Sequence, residues 1–309
     1  MTAAMISARL VEVARVPAHE GPVWFPEEKA RYYTSVPGHG PDGVPQVRID
    51  RLPLDQFPLH ELTGPVGAGR VHTVASDTNA ANGMCADGSG GLLVCEQGGP
   101  NAPARVSRLD PLTGVRETVV AALDGRPLNS PNDITRHPDG SIWFTDPSYG
   151  WYQGFRPQPA IPDGVHRYDP GTGEHTLVTA AFDKPNGLAF SPDGQTLYVG
   201  DSGANHQPGS FDPSRPHAVT ALQVHGGHVD AELWSHTVPF GFPDGLKPDG
   251  AGRVWFTTDD GLRVLSPDGD HLGDVPLPGA VNFTFVEGDD ALLVTADTAV
   301  WAVLLDQSR

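Results

Sequence analysis

Six stretches of this sequence carry an amide or a carboxylate at what reads as one repeated position. They are Glu20 in "HEGPVWF", Asn82 in "ANGMCAD", Asn132 in "SPNDITR", Asn186 in "KPNGLAF", Asp244 in "FPDGLKP" and Asn282 in "VNFTFVEGDD". If four of these, Glu20, Asn132, Asn186 and Asp244, converge, they present two carboxylates and two amides. That is an all-oxygen donor set, matched to hard cations such as Ca²⁺, Mg²⁺ or Mn²⁺ and unsuited to a soft-metal site. Two carboxylates brought together in a narrow space repel one another and lose hydration, and a divalent cation removes both penalties. The donor set alone leaves calcium, magnesium and manganese open, with zinc a further possibility. Asn82, at the equivalent place, and Asn132 are expected to hydrogen-bond substrate, and Asn282 is left outside the metal shell.

Asn-Gly and Asp-Gly are also common turn dipeptides. Here, though, Asn186-Gly187 and Asp244-Gly245 precede a strand, and the hairpins that follow have turn dipeptides of their own, Asp193-Gly194 and Asp249-Gly250. Convergence must then come from the elements that carry the six positions. Helical periodicity is nearly absent. Short apolar runs broken by Asp and Gly recur instead, as in "GLAFSPDGQTLYVGD" and "GLKPDGAGRVWFTTDD", which is a hairpin signal. Further pairs such as "GVHRYDPGTGEHTLV" follow, so each unit holds four antiparallel strands, one propeller blade. The six positions are separated by 62, 50, 54, 58 and 38 residues, a repetition that implies radial stacking. The expected fold is all-β, a six-bladed β-propeller occupying residues 1–309 as a single domain. The first strand, "RLVEVARV", and the last, "AVWAVLLD", are expected in one blade, closing the ring and removing an open edge.

Bulk composition narrows the function. The 309 residues hold 38 acidic and 20 basic side chains, a net charge of −18, with no basic stripe, which argues against a nucleic-acid partner. No apolar run is long enough to span a bilayer, and the start "MTAAMISARLVEVARV" lacks the pattern of a signal peptide, so a cytoplasmic location is expected. Cys85 and Cys95 sit ten apart on neighbouring strands; two buried thiols are expected in preference to a disulfide or a thiolate metal site.

The segments "HEGPVWFPEEKARYYTSV", "LNSPNDITRHPDGSIWFTDPSYG", "KPNGLAFSPDGQTLYVGDSG" and "PDGLKPDGAGRVWFTT" together resemble the SMP-30/gluconolactonase/LRE-like family of six-bladed propellers. The likeness runs from about Glu20 to the last repeat and looks most like its microbial gluconolactonase branch. It implies one divalent cation, commonly calcium, held by Glu20, Asn132, Asn186 and Asp244, the same four residues reached above. It also implies hydrolysis of sugar lactones such as gluconolactone, with the cation as Lewis acid and a small-molecule lactone as partner. Asp244 is the first choice for general base, although ligation of a cation would weaken it in that role, and Asp201 in "YVGDSG" is the second. His19 stands beside Glu20; a solvated turn histidine is the first reading of it and an orienting partner for Glu20 the second. His206 and the aromatic residues Trp151, Tyr152 and Phe155 fall in loops expected to shape the pocket. Alternatives on the same scaffold are hydrolysis of other lactones or of organophosphates, a strictosidine-synthase-like activity, or a calcium-binding propeller without catalysis.

Overall fold

Six four-stranded antiparallel sheets stand around a central channel in a computed structural model that describes residues 4–40, 43–206, 210–286 and 290–306. Their innermost strands are Val23–Phe25, Ala81–Ala86, Ile134–Arg136, Pro185–Phe190, Leu246–Pro248 and Asn282–Val286. Each lies beside the innermost strands of the two adjacent blades, and the sixth lies beside the first, so the ring is closed. The expected six-bladed propeller is what the chain forms.

The second strand of each blade explains why the sequence alternates so little. Ile142–Asp146, Val254–Thr258 and Ala291–Ala296 are buried at every residue, because a blade on either side covers both faces. A strand covered twice reads as an apolar run. The outermost strands face solvent, and His228–Thr237 has no fully buried residue.

The core is divided among the interfaces between blades. Trp143 of the third blade meets Phe190 of the fourth edge-to-face, with centroids 5.1 Å apart at 87°. Burying one side chain of that size contributes on the order of 3 kcal/mol. The sixth blade is completed by the N-terminal strand Ala8–Ala14, which pairs antiparallel with Ala299–Leu305, Leu10 facing Val303 and Glu12 facing Trp301. This is the closure read from "RLVEVARV" and "AVWAVLLD". Cys85 lies opposite Leu93 and Cys95 opposite Val106, and both are free thiols. No helix among the described residues is long and apolar enough to cross a membrane.

Candidate functional site

Glu20, Asn82, Asn132, Asn186, Asp244 and Asn282 stand at the start of the six innermost strands, at one mouth of the channel. The glycine after four of them is what allows the ring to close so tightly. A Cβ on Gly83 would collide with the Asn132 carbonyl, one on Gly187 with the Asp244 carbonyl, and one on Gly245 with the Asn282 side chain. Gly21 is pressed in the same way against Asn82 and Met84, and at φ +57° it also has the left-handed backbone that glycine adopts most readily. The Asn-Gly and Asp-Gly pairs therefore serve close approach between blades and not hairpin turns.

Threonines of the second strands fix the backbone at this mouth. The Thr34 hydroxyl accepts the Glu20 N–H at 3.2 Å, and Thr145 accepts that of Asp133 at 3.0 Å. Thr257 accepts the Gly245 N–H at 2.9 Å and Thr295 that of Asn282 at 3.1 Å. In the third and fourth blades an acidic residue ending the second strand fastens the loop in front of the site residue. Asp146 accepts the N–H groups of Asn129 and Ser130, both at 2.8 Å. Asp201 accepts those of Asp183 at 2.8 Å, Lys184 at 2.9 Å and Gly203 at 3.0 Å. Both oxygens of Asp201 thus accept from backbone donors, which holds the loop in front of Asn186 in place. His19 likewise bonds Asp297, Nδ1 to Oδ1 at 2.7 Å, and does not orient Glu20 by a hydrogen bond.

The side chains at the mouth form one electrostatic unit. Burial, then the Asp244 carboxylate, pushes the pKa of Glu20 well above the usual carboxylate range. Burial pushes Asp244 up to about 7, although Asn186 and Glu20 lie close enough to donate hydrogen bonds to it. Asn186 Nδ2 also donates to Ser202 Oγ at 3.2 Å. A half-turn about χ2 would exchange that nitrogen for the amide oxygen. The Oδ1 atoms of Asn82 and Asn132 are buried without a hydrogen-bond partner. Unmet amide acceptors and two buried carboxylates at one mouth are the oxygen donors that a hard divalent ion takes, so the residues fit one. Among the described residues no group of three or more His, Cys, Asp and Glu side chains could hold a metal, so a cation here must draw on the amides.

Sequence reasoning passed over several neighbours. Asn282 is a positioning residue: its Nδ2 donates to Glu20 Oε2 at 2.7 Å, and its Oδ1 accepts from Lys247 Nζ at 3.3 Å. Asp133, the other half of the "ND" pair, is buried, and burial raises its pKa against the pull of Lys247. Tyr149, in the short helix Tyr149–Tyr152, brings a buried hydroxyl beside Asp244, Ser202 and Asn186 without completing a hydrogen bond by strict geometry. Phe155 is buried, Tyr152 stacks under Lys184 Nζ at 4.9 Å, and Trp151 is exposed and packs edge-on against Tyr152. His206 lies in its expected loop with Nδ1 buried and unpartnered. The "SYG" of "DPSYG" was the available signal for Tyr149, an aromatic three residues after the latch Asp146.

Residues 18–298 match the family model described as the SMP-30/Gluconolactonase/LRE-like region. A gluconolactonase from Zymomonas mobilis is 30% identical over 243 residues, 75% of this chain and 64% of that protein. A lactonohydrolase from Aspergillus oryzae is 27% identical over 298 residues, 87% of this chain and 62% of that protein. The chain thus spans less than two-thirds of the length of either relative. Among solved structures, a gluconolactonase from Xanthomonas campestris superposes with a TM-score of 0.78 at 30% identity, covering 98% of this chain and 91% of that one.

Proposed function

The chain belongs to the SMP-30/gluconolactonase/LRE-like family, and from that premise we propose that it hydrolyses sugar lactones of the gluconolactone class at the channel mouth. The observation that carries this reading is the convergence of two carboxyls of raised pKa, Glu20 and Asp244, with the unpartnered amide oxygens of Asn82 and Asn132. Relatives named gluconolactonase and lactonohydrolase supply the reaction class.

Glu20, Asn132, Asn186 and Asp244 are the residues that would hold one divalent cation, calcium first. Such a cation, when bound, polarises a lactone carbonyl and favours the charge that develops on its oxygen. The chain's own residues do the rest. Asp244 takes a proton from the attacking water, whose oxygen bonds to the carbonyl carbon as the ring C–O bond breaks. The released ring oxygen takes back the proton that Asp244 accepted, giving the aldonic acid and restoring the carboxylate. Asn82 and the Tyr149 hydroxyl hydrogen-bond the sugar hydroxyls. Lys247, through Asn282, holds Glu20 in place. Asp201 and Asp146 keep the two asparagine-bearing loops seated.

The test is acid release from glucono-, xylono- and arabinolactone with and without chelator. Turnover well above the spontaneous rate, lost on chelation and restored by cation, supports the reading. No turnover of any lactone would favour a binding propeller in its place.

A further inference from the structure

The face of the first blade turned toward the sixth holds a charge that the lactone site does not use. Arg31, on the second strand Ala30–Thr34, is fully buried, and its Nε, Nη1 and Nη2 atoms have no hydrogen-bond partner among the described residues. Tyr33, two residues on and therefore on the same face, holds its ring 5.8 Å from the Arg31 guanidinium carbon. Its hydroxyl is also buried and unpartnered. Trp24 lies directly opposite Arg31 in the strand register, and its Nε1 is a third buried donor with no acceptor. Tyr33 belongs to an apolar cluster with Val11, Leu52, Leu293 and Ala302, and Trp24 packs against that cluster.

Donors so outnumber acceptors that rearrangement within the group cannot satisfy it: a guanidinium offers five N–H, the indole one and the phenol one, against a single phenolic oxygen. Burial pulls the pKa of Arg31 down only to about 9, so the side chain remains charged at neutral pH. Buried charges in proteins are paired, because an uncompensated one is strongly destabilising. Water can meet the N–H groups but leaves the charge uncompensated. The complement is a compact acceptor with one negative charge. A crevice of 190 Å³ lies on the same side, walled by Trp24, Leu54, Phe57 and Leu59, with Lys29 and Asp55 in its lining.

We propose that Arg31, Tyr33 and Trp24 form a buried site for one small monovalent inorganic anion, of the chloride or nitrate class, between the sixth and first blades. Its occupancy ties anion binding to the seam where the ring closes.

The test is thermal unfolding of the full chain while chloride, bromide or nitrate replaces methanesulfonate at constant ionic strength. The wild type should show a saturable rise in Tm, roughly 4 °C at a hundredfold excess over Kd. Arg31→Met, which fills similar volume without charge, should show none. Crystals soaked in bromide should give an anomalous peak within hydrogen-bond reach of the guanidinium. A flat response in the wild type, the same rise in Arg31→Met, or water alone beside Arg31 overturns the proposal. If Arg31→Met does not fold, the bromide peak in wild-type crystals decides the matter.

Discussion

Glu20 and Asp244 come from blades far apart in sequence, yet burial raises the proton affinity of both, and Asp244 raises that of Glu20 further. A cation has to displace that proton. Calcium affinity is therefore expected to weaken as pH falls through about 7, with proton release on binding that calorimetry in buffers of different ionisation enthalpy measures. In chelator the sign for stability is the reverse. A native pKa above the unfolded value means stability is fully present below the ordinary carboxylate range and is lost as pH rises through about 7, which Tm against pH in chelator checks. The two aspartates considered for the base separate by experiment. Asp244→Asn should lower kcat at least about 100-fold while the protein stays folded. Asp201→Asn should lower stability by about 1–3 kcal/mol, seen in denaturant unfolding, and leave the pH dependence of turnover unchanged. That Asp201 ends a strand near the site was legible in the sequence. That both its oxygens are occupied was not, because the donors are backbone groups from a loop some 17 residues earlier.

At the level of elements, the repeat was readable because every blade has the same problem: an innermost strand must begin where five others begin. The glycine after Asn186 and Asp244 stood out as lying outside any hairpin turn, but its cause is the backbone of the next blade, which no local pattern displays. Gly187→Ala is expected to push the fourth blade off the Asp244 carbonyl, destabilising by about 2 kcal/mol or more and weakening cation binding together with stability; unfolding and calcium titration of one preparation test the linkage. The threonines were hidden for a related reason. Thr257 looks like any β-branched strand residue until the register sets its hydroxyl against Gly245. The loop of residues 147–163 was read as aromatic lining, whereas Arg156 straps it to the carbonyls of Gly99, Ala102, Leu128 and Asn129. That strap leaves Tyr149, and not Trp151, at the site.

For the molecule as a whole, closure is what brings the oxygen donors of four blades to one mouth. The N-terminal strand Ala8–Ala14 supplies the outer edge of the sixth blade, and that blade carries Asn282, which holds Glu20. Deleting residues 8–14 should therefore loosen cation binding at a mouth the strand does not touch, and calcium titration of the shortened chain would show it. The net charge of −18 was the least specific feature of the sequence, compatible with simple solubility, and it weighed only against polyanionic partners. The central claim is that one cation at the hub is what turns the ring into a lactonase. The most direct measurement strips the protein with chelator, then adds calcium back while bound ions and lactone turnover are counted in the same sample. Activity and occupancy are expected to rise together and level off at one ion per chain. Full turnover in the stripped protein, or an ion that binds without restoring any, would contradict the account.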